Sequence, residues 1–600
     1  MIRSLLLLLC SASGLFAAQE GAPPPAPPSN ELAPRELAFQ KLLAHAVLEG
    51  RFTVHGRPDQ AEVQKERYTI GNVTKVEGEK WRVESRMEFM GRDVTFPVPV
   101  RVRFVDDETP VIVVDDFGLP GIGKYGARVV FAHGEYAGIW WGKDYGGQLF
   151  GKVLSGAAQA GAVGVLGDHK SVPARSGDWP QFRGPQARGV MEGHALPASF
   201  DLATKENVRW RIEVPGMSHA SPVIVGEKLF LVTSIPAEGE AKLKVGLYGS
   251  IEPVEDDGPQ KLALLCYDKR TGEKLWERVA FTGEPEIKRH PKGSHAQSTP
   301  AADGERVLAF FGSEGLYCYS HGGELLWKKD LGRLDGGYFM VKDAQWGYGS
   351  SPVLHEGVVY VICDVQENSF LAALDAKSGE EIWRTPRADV PGWCTPTIDV
   401  REGRSQVIVN GWKHIGGYDL TTGAALWWMK GKADIPVPTP VVAHDTIFLT
   451  NAHGGPPPIF AVDPLHEGPI EFTSEPPKGI RWWKSTGGSY MPTPIVVGDH
   501  LFLSGDAGVL SCYDAKTGEL RFKERLDTGG FTASPVAGDG KLYIPSEVGD
   551  IHIVKAAPTY ERLSVSHLGE ECMASPAISE GVVYFRSRRH LTAISSLPLR

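Results

Sequence analysis

The sequence predicts an all-β protein: an eight-bladed β-propeller of four-stranded antiparallel blades, closed by an N-terminal strand and preceded by a smaller antiparallel β-sheet or barrel. Three observations predict it. A Ser-Pro or Thr-Pro pair opens a short strand eight times, at Ser221, Thr299, Ser351, Thr395, Thr439, Thr493, Ser534 and Ser575. The spacings are 78, 52, 44, 44, 54, 41 and 41 residues, and about 40 residues is one propeller blade. The last repeat, SPAISEGVVYFRSRRHLTAISS, stops after three strand patterns, while VRWRIEVPG at 208–216 stands before the first pair and matches the missing fourth.

From the N-terminus, Arg3, the apolar run 4–17 and the small pair Ala17-Ala18 read as an export signal over 1–18. The run is too short to span a bilayer, and Leu9 before Cys10 argues against a lipoprotein. The expectation is a protein exported to a periplasm or the cell exterior, soluble after cleavage. Residues 19–35 contain GAPPPAPPS, a stiff linker. Residues 33–48 carry apolar positions at helical spacing (Leu37, Leu42, Leu43, Ala46, Val47) and end at Gly50. The first domain, 36–154, then becomes strands: RFTVHG, RYTIGNVTKVEG, KWRVESRMEFM, DVTFPVPVRVRFV, TPVIVVDDF, ARVVFAHG and YAGIWWG. Short consecutive strands without helices imply a meander, curled or closed. Residues 155–177, rich in Ala, Gly and Ser, read as a linker, and DWPQFRGP opens the propeller over 178–600.

Within a blade such as SPVLHEGVVYVICDVQENSFLAALDAKSGEEIWRT each repeated residue has a reason. Proline sits at a strand's first residue, where a missing N–H costs least. The turn D-x-x-[ST]-G at 268–272, 375–379, 419–423 and 514–518 uses Gly for positive φ and Asp to bond nearby amides. Four residues after that Gly stand Trp276, Trp383, Trp427 and Phe522, with Trp327 equivalent in blade 2; such rings fill the wedge between blades. Two residues before the turn the chain is small: Cys266, Cys318, Ala373, Gly417, Ala461 and Cys512. The six cysteines beyond the signal are an even number, as disulfides require. The slot instead makes Cys266, Cys318 and Cys512 small buried apolar residues.

The pattern [ST]-P…Y-V…A-x-D-x-x-T-G-x-x-x-W resembles the PQQ-like (pyrroloquinoline quinone) propeller repeat over all of 178–600. That family includes quinoprotein alcohol and glucose dehydrogenases and the non-enzymatic BamB-like propellers. For the enzymes the resemblance implies PQQ and Ca²⁺ in the central funnel, often under a Cys-Cys ring. This sequence has no Cys-Cys pair, no C-x-x-C-H haem site and no match to the Glu, Asn and Asp calcium set. The reading is therefore a BamB-like binding scaffold for a protein or an extracellular or periplasmic polymer, with no cofactor, metal or catalytic residue assigned. The alternative is a PQQ- and Ca²⁺-dependent dehydrogenase for an alcohol or sugar. The stretch TPVIVVDDFGLPGIGKYGARVVFAHGEYAGIWWGKDYGGQLFGKV resembles an unnamed β domain of exported planctomycete-type proteins and brings no activity with it; a small barrel of that kind could enclose an apolar ligand.

Composition sets limits. With 70 Gly, 44 Pro and 42% hydrophobic residues the chain is turn-rich and globular, and a net charge of -10 gives no general attraction to nucleic acid or anionic lipid. Membrane association is expected only through a partner. Residues 121–126 fit G-x-G-x-x-G but run into a strand, not the helix a dinucleotide site needs. The segments before the eight Ser/Thr-Pro pairs converge on the funnel entry. They carry the candidate ligand site: His219, His295, Trp346, Tyr348, Trp393, Tyr490 and Met573.

Overall fold

The computed structural model describes residues 32–596 except 45, 56–62, 90–91, 107–108, 120–122, 155–174, 247–250, 256–257, 342, 454–456, 474–476 and 528. The export signal, the Pro-rich stretch and nearly all of the 155–177 linker lie outside the described residues. The chain divides into two compact units, Met1–Gly156 and Ala157–Arg600.

The first unit is a closed barrel of eight antiparallel strands: β1 (Val47–Phe52), β2 (Gln64–Glu77), β3 (Lys80–Phe89), β4 (Arg92–Phe104), β5 (Pro110–Leu119), β6 (Gly123–Ala132), β7 (Glu135–Trp141) and β8 (Gly146–Leu154). Pairing of β1 with β8 closes it, with Val47 opposite Leu154 and Phe52 opposite Leu149. The helix expected over 33–48 stops at Leu43, and Val47 and Leu48 belong to β1. Their ladder bonds on both sides outweigh the helical spacing of the apolar residues. The helix α1 (Pro34–Leu43) sends Phe39 and Leu43 into the barrel core, where Phe39 meets Trp81 edge-on at 5.1 Å. Inside, the Glu66 carboxylate accepts Tyr68 Oη at 3.0 Å and Tyr136 Oη at 2.8 Å, and burial raises its pKa. Gly126 lies in β6, so the glycine-rich stretch leads into a strand.

The second unit is an eight-bladed propeller. Blades 1 to 7 span 223–283, 301–329, 353–386, 397–429, 441–484, 495–525 and 536–567. Blade 8 consists of 577–594 plus β9 (Val208–Glu213), whose Trp210 pairs with Ala593, so an early strand closes the ring with the last blade. A short strand Gly468–Pro469 from the blade 5 insertion adds in parallel to Ala425–Met429 of blade 4.

The small slot and the aromatic are one device. Cys266, Cys318, Ala373, Gly417, Ala461 and Cys512 stand opposite Trp276, Trp327, Trp383, Trp427, Trp482 and Phe522 in the ladder, leaving room for each ring. The indole N–H then reaches a carbonyl of the next blade: Trp327 to Ala376 at 2.9 Å, Trp383 to Leu420 at 3.2 Å, Trp482 to Ala515 at 2.9 Å and Trp210 to Lys269 at 3.3 Å. Gly379, at φ +75°, lies against the Trp327 ring, where a Cβ would come within 2.7 Å of Cε3. The turn therefore needs Gly for backbone conformation and for the neighbouring ring. All six cysteines beyond the signal are buried and free.

Consecutive antiparallel strands put blade connections alternately on two faces. On the face opposite the Ser/Thr-Pro entries, the DWPQFRGP segment crosses the propeller axis. Trp179 bridges Ile224 of blade 1, the Pro180 carbonyl accepts Ala302 N of blade 2 at 2.7 Å, and Val190 bridges Ala537 of blade 7. Arg183 donates to the carbonyls of Ala187 (3.2 Å), Arg188 (3.2 Å), Pro494 (2.8 Å) and Pro535 (3.0 Å). The segment floors the channel.

Candidate ligand-binding mouth

The Ser/Thr of the repeat links each blade to the next. Its hydroxyl accepts the backbone N–H of the equivalent residue one blade earlier: Ser221 to Thr299 and Thr299 to Ser351 at 2.9 Å, Ser351 to Thr395, Thr439 to Thr493 and Thr493 to Ser534 at 3.0 Å, and Ser534 to Ser575 at 2.8 Å. Two places break the ring, and there the buried hydroxyls of Thr439 and Ser221 have no partner. An orphaned buried hydroxyl costs stability, and a bonded one gains about 0.5–1.5 kcal/mol. Thr299→Val is therefore expected to destabilise the propeller by about 1–2 kcal/mol and Thr439→Val to be neutral or stabilising, both read from urea unfolding. Equal losses would refute this account of the ring.

The segment entering each blade is extended, so alternate residues face opposite ways. The residue two before the Ser/Thr is the one left partly exposed, between buried neighbours in most blades: His219, Gln297, Gly349, Trp393, Val437, Met491 and Thr532, with Met573 equivalent but 6% exposed. These line the channel entry. Tyr348 sits one position earlier and points into the interface of blades 2 and 3, its ring tilted against Phe310 at 4.7 Å and its hydroxyl donating to the Ile362 carbonyl at 2.7 Å. It is therefore turned away from the entry. His295, further upstream, is half-buried within electrostatic reach of Glu314. Burial pushes His219 down to about 3, and Arg289, Arg588 and Arg586 nearby act in the same direction, so it is neutral at physiological pH. Its Nε2 has no partner.

Above the entry runs a band of rings. Trp393 lies 5.8 Å from Trp346, Trp346 stacks on Tyr338 at 5.9 Å, Tyr338 meets His453 at 5.9 Å, and His453 meets Tyr490 at 5.9 Å. Phe339 extends it to Trp412 at 4.8 Å, and His290 sits edge-on to Trp346 at 5.3 Å. The structure thus gathers Trp346, Trp393 and Tyr490 of the candidates. It adds Tyr338, Phe339, Trp412, His453 and His290, which lie in connections outside the repeat register. The side chains are fixed from behind: Trp393 Nε1 donates to the Gly347 carbonyl at 2.9 Å, and His453 Nδ1 lies 2.7 Å from Asp434 Oδ1.

A buried ion cluster holds two of these loops. Arg387, with a fully buried side chain, bonds both Asp364 oxygens at 2.7 and 2.8 Å, Asp389 at 3.2 Å and Tyr418 Oη at 2.5 Å. Asp389 in turn accepts the amides of Val390, Trp412, Lys413 and His414 at 2.8–3.3 Å.

The 237–259 insertion of blade 1, closed at its base by Ala237 N to the Pro259 carbonyl at 2.9 Å, reaches both sides of the mouth. On the blade 7–8 side Arg588 Nη2 donates to the Ala241 carbonyl at 2.6 Å and Gly246 N to Glu547 Oε2 at 2.6 Å. Glu547, 1% exposed, also pairs with Lys292 at 2.5 Å. On the other side Trp346 Nε1 of the blade 2–3 connection donates to the Ile251 carbonyl, and Val254 N to the carbonyl of Arg289 in the blade 1–2 connection, each at 2.9 Å.

Calcium needs about 6–8 oxygen ligands. The entry-lining residues supply no carboxylate, and among the described residues no three His, Cys, Asp or Glu side chains group as metal ligands. The donor set does not fit Ca²⁺. Among the described residues no helix is long and apolar enough to cross a membrane.

A family profile described as "Outer membrane protein assembly factor BamB" matches residues 260–524 and 466–549. Among solved structures, BamB from Moraxella catarrhalis is 14% identical, covering 65% of this chain and 99% of that chain at a TM-score of 0.43. The quinohemoprotein alcohol dehydrogenase from Comamonas testosteroni is 13% identical, covering 73% and 84% at a TM-score of 0.47. No curated protein matches significantly.

Proposed function

We propose that the propeller, whose repeat resembles the PQQ-like family and whose residues 260–549 match the BamB profile, is an exported, non-enzymatic scaffold that binds a protein or polymer partner at its aromatic mouth. The observation that carries this is the band Trp393–Trp346–Tyr338–His453–Tyr490, assembled from several blade connections and braced by the Arg387 cluster. Aromatic anchors on a rigid support are what binding surfaces use. The family's BamB-like branch supports the same reading.

The second reading is a PQQ-dependent dehydrogenase. It is favoured by the cations near His219, which would suit a carboxylated quinone, and opposed by the missing oxygen cage. Calorimetric titration of the mature protein with PQQ in Ca²⁺ buffer is expected to show no saturable binding and no dye-linked oxidation of alcohols or sugars. One quinone per chain, with oxidation, would establish the enzyme instead. For the scaffold itself, a photo-cross-linking residue at position 412 is expected to capture one defined partner, with capture lost in Trp393→Ala.

A further inference from the structure

The blade 1 insertion places a stretch of this chain on the mouth in the manner of a ligand. Residues 251–255, Ile-Glu-Pro-Val-Glu, form no helix or strand, and Ile251 is 39% exposed, so the stretch lies on the surface rather than in the core. Pro253 favours an extended backbone before it. Two of its anchors are backbone groups: the Ile251 carbonyl takes the Trp346 indole N–H, and the Val254 amide gives to the Arg289 carbonyl, both at 2.9 Å. Its third anchor is ionic, Glu255 to Lys288 at 2.5 Å. Trp346 is held ready by Tyr338 on one ring contact and His290 on another. Two backbone bonds, an ordered indole and a cation are a general way to hold any extended acidic segment.

We infer that 251–255 is a tethered mimic of the partner: the mouth recognises an extended acidic peptide, and the chain's own segment occupies that site until the partner displaces it. This rests on the scaffold reading and names the partner's chemistry. A short tether presents its segment at roughly millimolar effective concentration. A free peptide of modest affinity must therefore bind the intact protein about 10-fold more weakly than a protein without the tether.

The test replaces 238–257 by a short Gly-Ser linker in the full chain and titrates the peptide GSIEPVEDDG, with GSIKPVKKKG as control, following tryptophan fluorescence. The expected result is one acidic peptide per chain, binding about 10-fold weaker to the intact protein, abolished by Trp346→Ala, and no binding of the control. A folded replacement variant that binds neither peptide, or both equally, overturns the inference. Should the replacement not fold, Glu255→Lys in the intact chain is expected to raise peptide affinity at least threefold, and unchanged affinity overturns the inference. If the peptide fails while the position 412 cross-linker still captures its partner, the mimic falls and the scaffold stands; if both fail, both readings fall.

Discussion

Arg183→Met is expected to destabilise the propeller by about 4 kcal/mol or more, the largest loss of any single substitution on the channel floor. Arg183 is fully buried, and burial pushes its pKa down to about 9, so the fold already bears the cost of desolvating a cation without a carboxylate beside it. What offsets that cost is four donations to carbonyls, two local and two from Pro494 and Pro535. Removing a buried charge can be neutral when its partners leave with it. Here the carbonyls belong to the backbone and stay, each bond to a charged donor being worth roughly 1.5–3 kcal/mol. The two prolines come directly after Thr493 and Ser534, so the loss also loosens two links of the hydroxyl ring. Urea unfolding followed by tryptophan fluorescence measures it. A loss under 1 kcal/mol would mean that the floor segment is held by Trp179 and the bridges alone.

The ring was legible in the sequence because closure is a local rule repeated eight times. A strand missing from the last repeat and a spare strand before the first can only complete each other. The small slot was legible as a size pattern, although its reason, a Trp directly opposite, needs the ladder register. The Ser or Thr before every Pro carries its own signal: all eight positions bear a hydroxyl, and a hydroxyl at a blade entry is placed to accept across the interface. Trp393, His219 and Met573 stand two residues before the Ser/Thr, whereas Tyr348 stands three before and is turned into the blade interface. Tyr490 stands three before Thr493 and still meets His453 in the band, so the count alone does not sort the candidates. Tyr338, Phe339, Trp412 and His453 lie in connections with no repeat register, where spacing gives no direction. The blade 1 insertion shows in the sequence as the 78-residue spacing, but its contacts do not: Arg588 and Glu547 lie 347 and 301 positions from their partners in it, Trp346 95 and Lys288 33.

The Arg387 cluster predicts an effect that changes with pH. Arg387→Met is expected to cost about 3–5 kcal/mol at pH 8, because Asp364 and Asp389 remain buried without their counter-charge. Burial pushes Asp364 up to about 6 even with Arg387 pulling the other way. Without the guanidinium its pKa must rise further above the roughly 3.9 of an unfolded aspartate. A carboxyl whose folded pKa lies above its unfolded one penalises the fold when ionised, fully above the folded pKa and progressively less as pH falls through it. The variant's deficit should therefore shrink between pH 8 and pH 5, and adding Asp364→Asn to Arg387→Met should recover part of the loss at pH 8. A deficit independent of pH would assign the loss to packing. Because Asp389 holds the amides of Val390, Trp412, Lys413 and His414, the same substitution should also weaken capture by the position 412 cross-linker at temperatures where the propeller is still folded. The loops of the mouth keep their shape through a buried charge, and that makes them titratable from beneath.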